Sequence, residues 1–282
     1  MRQEAKDTFK EISKGSDNAE LEVISLGLGV QSTAMYFMSC LGDLPRADYA
    51  IFSDTGAEHK YTYEYLSYLQ KFQKENDGIP IIVVKNKDGL YKDSLCDNLI
   101  KIPAYVVFKD GVSIINRSCT KDYKIIPFYR KIRELVGLKK GEWVKDRKVN
   151  TWIGITIDEI QRVKESSMPL LVNKYPLINM LWKRSDCINY YMKNNFPSPN
   201  KSSCVFCPYQ SNSSFLNMKK NYKEDWGKAV EVDEYIRDRF TKDGHLTKSY
   251  IWQRHKPIKD AKFEGENQID MFNGECEGYC GL

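Results

Sequence analysis

Long apolar runs are missing from this chain. Among its 282 residues no window of about eighteen apolar positions occurs, and the first twenty are polar and charged without an apolar core. Neither a membrane span nor a secretory signal is expected, and the cytoplasm is the expected location. An excess of one charge is also missing: 43 Lys and Arg stand against 38 Asp and Glu, a formal +5. So mild an imbalance permits an anionic ligand without choosing one. His245 and His255 have no partners at metal-ligand spacing and read as structural or surface residues. The length suffices for one large domain, or a domain with an appendage, around a sizeable core.

What stands out is the stretch 21–35, a buried strand, a glycine-bearing turn and a helix opening on small hydroxyl residues. Val23 and Ile24 suit a strand, while Gly27 and Gly29 permit backbone angles and close approaches that a Cβ forbids. Ser32 and Thr33 fall where a helix N-terminus presents unpaired N–H groups and the positive end of its dipole, an attractive place for phosphate. The stretch lacks the Gly-Lys-Ser/Thr ending of a Walker loop and the full glycine spacing of a dinucleotide loop. An ordinary strand-to-helix turn is the competing interpretation.

Further along, Ala47–Phe52 reads as a short strand ending in Ser53-Asp-Thr-Gly-Ala-Glu58. A carboxylate and a hydroxyl at that position fall on the carboxyl edge of an α/β sheet, where ligands bind. Asp54, Thr55 and Glu58 are thus site candidates, unless Asp54 or Thr55 merely caps the helix 61–74. Ile79–Val84 is a continuous apolar run, expected to be a strand buried on both faces. Residues 106–115 suggest a hairpin about Lys109-Asp-Gly111. Asn150–Gly154 is a further strand, followed by Asp158, Glu159 and Arg162. The guanidinium of Arg162 suits a phosphate or sulfate, or else a surface pair with Asp158 or Glu159. Strands alternating with helices predict a mostly parallel, doubly wound α/β sheet.

The eight cysteines belong, in a reducing compartment, to metal, cluster or catalytic chemistry before disulfides. Cys119 precedes a helix amid Lys121, Lys124, Arg130, Lys131 and Arg133, surroundings that favour a thiolate; a solvated helix face also accounts for that charge. Cys204-x-x-Cys207 can chelate zinc, form a redox pair or hold an iron–sulfur cluster, and with Cys119 it suggests one shared centre. Cys187 is a possible fourth ligand, although a helical Cys among aromatics also serves as a small hydrophobe. Residues 211–262 read as a helical C-terminal extension with Trp226, Val230, Tyr235, Ile236 and Phe240 on one face. The final nine residues carry Cys276 and Cys280 among glycines, a tail able to swing a thiol into a site.

Ser25, Gly27, Gly29 and Ser32 resemble the phosphate loop of the PP-loop, or adenine-nucleotide α-hydrolase-like, superfamily; Gln31 stands where many ATP-using members carry Asp. With residues 54–58, Cys119, Gly154, Glu159, Arg162, Tyr175-Pro-Leu177, Asp186 and 197–207, nearly the entire chain resembles the phosphoadenosine phosphosulfate (PAPS) reductase family, in a bacterial and phage branch. The resemblance implies a Rossmann-like domain over 21–210, preceded by a polar lead-in over 1–20 and followed by the extension 211–282. It implies a nucleotide held by Ser25, Gly27, Gly29, Gln31, Ser32, Asp54, Thr55, Glu58, Lys124, Gly154, Glu159 and Arg162. A [4Fe-4S] cluster is implied at Cys119, Cys204 and Cys207, with Cys187, Cys276 or an exogenous group as fourth ligand and zinc as an alternative. In iron–sulfur adenylylsulfate reductases a Cys-Cys pair precedes Cys-x-x-Cys at an interval like that from Cys119 to Cys204; here Thr120 replaces the second Cys.

The reductases end in a Glu-Cys-Gly nucleophile. Cys280-Gly281 matches its latter part with Tyr279 in place of Glu, and Glu275-Cys276 is the alternative. Two activities follow as expectations. One is thiol-dependent reduction of PAPS or adenylylsulfate to sulfite, with a reductant such as thioredoxin. The other is ATP- and magnesium-dependent adenylylation of nucleic acid followed by sulfur transfer from a donor, as in tRNA thiolation or DNA phosphorothioation. A non-catalytic nucleotide sensor is a third reading. The sequence does not fix the oligomeric state.

Overall fold

The computed structural model describes residues 14–96, 102–115, 118–239, 241, 242 and 245–263. Five parallel strands form its centre: β1 (Glu22–Ser25), β2 (Tyr49–Asp54), β3 (Ile81–Lys85), β6 (Val149–Trp152) and β7 (Leu171–Lys174). They lie in the order β3-β2-β1-β6-β7. Val23 is in register with Tyr49 on one side and Thr151 on the other. From β1 the chain winds outward to β2 and β3, then returns to pair β6 against the free side of β1. The carboxyl ends of β1 and β6 therefore flank a topological switch point, the crevice where open α/β sheets bind ligands.

Successive side chains of a strand face opposite ways, and the core divides accordingly. Ile24, Ala50, Phe52 and Trp152 pack with helix α1 (Val30–Leu41), helix α2 (Lys60–Glu75) and Tyr191 of helix α6 (Arg184–Lys193). Val23, Ile51, Val149 and Leu171 face the other way, against Phe128 and Ile132 of helix α4 (Ile126–Leu135). Helices thus cover both faces, as the sequence pattern predicts for a doubly wound sheet. α1 is buried nearly all round and ends at Gly42, whose φ of +88° lets the chain turn away. Within that layer Phe37 stacks on Phe196 at 4.1 Å and meets Phe72 edge-on at 4.9 Å. Burying one such ring is worth about 1.5–3 kcal/mol.

One expectation needs correction. The apolar run 79–84 is not buried on both faces: β3 is the outermost strand, and Val83 is 42% exposed. An unbroken apolar run does not say whether a strand is central or at an edge. The extension carries the expected helices, α7 (Asn212–Asn221) and α8 (Lys223–Tyr235). Beyond them β10 (Lys248–Tyr250) pairs antiparallel with β4 (Tyr105–Phe108), which itself forms the expected hairpin with β5 (Gly111–Ile114). A third core cluster fills this region, where Phe215, Met218, Ala229, Val232, Ile251 and Trp252 meet Ala104, Tyr123 and Phe206. No helix among the described residues is long and apolar enough to cross a membrane.

Candidate functional site

The crevice at the switch point is a pocket of about 90 Å³. Its walls are the loop after β1 (Ser25, Gly27, Gly29), the first turn of α1 (Val30, Gln31, Ser32) and the end of β6 (Ile153, Gly154, Ile155). The first intrahelical bond of α1 runs from Thr33 N to Gly29 O at 3.1 Å. The N–H groups of Val30, Gln31 and Ser32 precede that bond and belong to the donor-rich helix end. Leu28, buried beneath the loop, holds a left-handed φ of +57°. For a branched residue that conformation costs on the order of 1 kcal/mol, a strain that the surrounding packing imposes.

Gly29 and Gly154 serve the pocket by different means. A Cβ added to Gly29 would meet nothing within 4 Å, so the space above it opens to the pocket. A Cβ on Gly154 would lie 2.7 Å from Ser32 N and 3.0 Å from its Cα. Gly154 therefore serves by closeness, letting the end of β6 press against the start of α1.

Three cations line the pocket: Arg162, which the sequence indicated, and Arg184 and Lys201, which it did not. Arg162 pairs with Glu159. Glu159 also accepts from Gln31 Nε2 at 2.8 Å, and Arg184 donates to Gln31 Oε1 at 3.0 Å. The amide of Gln31 thus bridges an anion and a cation, which an Asp at this position would not do. Asp158, the other expected partner of Arg162, instead accepts the Arg184 N–H at the start of α6. Although burial acts to raise it, this bond and its neighbours hold the Asp158 carboxyl below the usual range. Asp186 likewise caps α6, accepting from Lys183 N at 2.7 Å. Lys201 lay unremarked ahead of the cysteine pair, and Arg184 ahead of Asp186; neither has a motif around it.

A second cavity, of about 40 Å³, is lined by Thr55, Cys119, Lys124, Cys204, Cys207 and Tyr209 among others. Cys119 sits at the head of a π-helical turn, Thr120–Ile125, that runs into α4. The Cys204–Cys207 turn is closed by Cys207 N donating to Cys204 O at 3.0 Å and docked by Val205 N donating to Ala57 O at 2.8 Å. Glu58, 3% exposed, lies between the two cavities. It accepts from Thr55 Oγ1 at 3.1 Å and, more loosely, from Ser202 at the pocket rim and Cys204 Sγ in the cavity, at 3.5 and 3.8 Å. Lys124 Nζ stands 3.6 Å from Glu58 Oε1. Lys124 is therefore placed among the thiols rather than in the loop pocket. Burial first, and then the Glu58 charge, push the Cys204 thiol well above its ordinary value.

Asp54 does not cap α2, whose N-cap is His59 without a side-chain bond. It accepts from Gly56 N at 2.7 Å and Tyr63 OH at 2.8 Å, with Lys85 Nζ 3.5 Å away, and so shapes the turn after β2. The sequence also gave no hint of the buried His59, whose Nε2 pairs with Gln210 Oε1 at 2.8 Å and whose Nδ1 is 3.6 Å from Asp225. Those contacts tie α8 to the start of α2.

Cys187 is not brought to the other cysteines. It is fully buried beside α1 and Tyr191, and burial pushes its thiol up to about 12. Its position is that of a small core hydrophobe. Cys276 and Cys280 lie outside the described residues. None of Cys119, Cys204 and Cys207 is in a disulfide, and three sulfurs on one cavity match the donor chemistry of a thiolate-held centre. Among the described residues, however, no group of three or more His, Cys, Asp or Glu is arranged to hold a metal ion.

Fold and pocket together define an α/β protein with a cation-lined pocket at the switch point of a parallel sheet. Among solved structures the chain is similar to phosphoadenylyl-sulfate (PAPS) reductase from Candida auris in its phosphate complex, at 15% identity over 71% of this chain and 90% of that one, with a TM-score of 0.41. It is also similar to the U34-tRNA thiolase NcsA from Methanococcus maripaludis with its [4Fe-4S] cluster, at 17% identity over 82% and 78%, with a TM-score of 0.41. No protein-family profile and no curated protein matches the chain.

Proposed function

We propose that this chain is a cytoplasmic adenine-nucleotide enzyme of sulfur chemistry that reduces a sulfonucleotide, PAPS or adenylylsulfate, to sulfite with a thiol reductant of the thioredoxin kind. The observation that carries the reading is the pairing of the two cavities. The loop pocket has three cations and, among its described lining residues, no carboxylate, and it meets the three-thiol cavity across Glu58 and Ser202. An ATP–magnesium complex calls for carboxylates to hold the metal, whereas a sulfonucleotide is neutralised by the cations directly.

In this reading the N-terminus of α1 holds the phosphate, and Arg162, Arg184 and Lys201 surround the remaining charge. The Cys280 thiolate, or that of Cys276, attacks the sulfate sulfur. An S–S bond forms, the S–O bond to the nucleotide breaks, and the nucleoside phosphate leaves with the electron pair. An external dithiol then attacks the cysteine sulfur of the thiosulfonate; sulfite leaves and the dithiol is oxidised to a disulfide. Cys119, Cys204 and Cys207 would hold an iron–sulfur cluster, or zinc, which when bound would supply a polarising charge beside the reacting group.

One observation favours a second reading. Cys187 lies apart from the cavity of Cys119, Cys204 and Cys207, so a cluster held there would take its fourth ligand from Cys276 or from an exogenous sulfur, and the latter suits ATP-dependent thiolation of nucleic acid. Sulfite release from adenylylsulfate and PAPS, with a dithiol reductant, tests the first reading. Turnover is expected to disappear in Cys280→Ser, or in Cys276→Ser if that is the nucleophile. Pyrophosphate release from ATP without any sulfite would replace the first reading with the second.

A further inference from the structure

Lys201 differs from the other two cations of the loop pocket. Arg162 is engaged by Glu159 and Arg184 by Gln31. The Lys201 ammonium is buried at its Nζ and has no hydrogen-bond partner among the described residues. An ammonium carries three donors, and a charge left both desolvated and unpaired is strongly unfavourable. Its backbone is fixed: Tyr61 OH donates to Lys201 O at 3.0 Å, and the Tyr61 ring stacks on buried His59 at 4.7 Å. The strand of chain it begins passes from the loop pocket at Ser202 into the thiol cavity at Ser203 and Cys204. Lys201 therefore stands on the wall of the loop pocket, two residues ahead of the thiol cavity's Ser203, without a hydrogen-bond partner at its Nζ among the described residues.

We propose that Lys201 is the specificity-determining cation for the anionic group attached beyond the nucleotide's α-phosphate, the sulfate that faces the thiols. The proposal rests on the nucleotide reading above and deepens it. The α-phosphate has the N–H groups of α1 and does not need this lysine. A terminal sulfate oxygen supplies the acceptors that Nζ lacks, and a compact point charge suits it without demanding a bidentate geometry. Lys201 thus turns a site for any adenosine 5′-phosphate into one that prefers a nucleotide with a further anionic group.

The test is calorimetric titration of the full chain with AMP and with adenylylsulfate, for the wild type, Lys201→Met, Lys201→Gln and Lys201→Arg. Circular dichroism and thermal melting identify any variant that fails to fold, and the Met and Gln forms stand in for each other. The wild type is expected to bind adenylylsulfate about tenfold or more tighter than AMP, the range of a hydrogen bond to a charged group. In Lys201→Met and Lys201→Gln the affinity for adenylylsulfate falls by a much larger factor than that for AMP, so the preference collapses, and Lys201→Arg restores part of it. A preference that survives in the Met and Gln variants, or an equal loss for both nucleotides, overturns the role of Lys201 while leaving the pocket's nucleotide intact. A wild type that binds neither nucleotide removes the underlying reading together with the proposal.

Discussion

The loop pocket and the thiol cavity are neighbours built by different means. The pocket comes from regular topology: two parallel strand ends, one helix N-terminus and a close approach at Gly154. The cavity is assembled from irregular pieces, namely the turn after β2, the π-helical turn after Cys119 and the docked Cys204–Cys207 turn. A secondary-structure scaffold fixes the first, while hydrogen bonds between remote segments fix the second. A helix N-terminus beside parallel strand ends presents its backbone donors in a geometry that the sheet itself dictates. A set of thiols can be gathered by any loops that meet.

This contrast can be broken or sharpened by experiment. The largest effect concerns the cysteine that belongs to neither region. With its thiol near 12 instead of 9.0 and no exposure, Cys187 should be alkylated ~1000-fold or more slowly at pH 8 than an ordinary thiol. Mass-spectrometric mapping of labelled sites checks this; rapid labelling in the folded state would return Cys187 to the list of available ligands. Phe37→Ala empties the space between Phe72 and Phe196 and is expected to cost about 3–5 kcal/mol in chemical denaturation. Gly154→Val forces a side chain against the start of α1, so a loss of about 1–3 kcal/mol should accompany lost nucleotide binding, with the thiol cavity's reactivity retained. If both sites fail together, they are one cooperative unit.

Asp225 offers a smaller, pH-dependent effect. Burial acts to raise its pKa, but the His59 ring beside it and the bond from Lys60 N hold it below the ordinary 3.8. Its folded pKa being the lower, its contribution is complete above the unfolded value and disappears as pH falls through the folded one. Asp225→Asn should therefore cost about 1 kcal/mol at neutral pH, and the difference from wild type should close in acid denaturation below about pH 4. Least of all, Val83→Thr on the exposed edge strand should change stability by no more than about 0.5 kcal/mol, as a melting curve would show.

The sequence made the parallel sheet legible through β-branched runs followed by helices, and the loop through the spacing of Ser25, Gly27, Gly29 and Ser32. It also brought Cys119 together with Cys204 and Cys207, because thiols carry few other meanings in such a chain. It misled at Ile79–Val84, since apolar content records burial without saying which neighbour supplies it. Arg184 and Lys201 escaped notice because a single cation acquires its meaning from what surrounds it in space. The bond between Gln31 and Glu159 joins residues 128 positions apart, beyond the reach of any local pattern. The same holds for His59, whose partners Gln210 and Asp225 come from the far end of the chain.

The docking of the Cys204 turn beside the end of β2 also sets an order of events during synthesis. Thr55 and Cys204 touch across 149 positions of sequence, so closing that loop carries a large entropic cost before any contact repays it. On the ribosome the β1-α1-β2 unit emerges and can collapse while Cys204 and Cys207 have yet to be translated. The thiol cavity is thus complete only after most of the protein has been made, and any metal centre loaded there must arrive at a nearly finished fold.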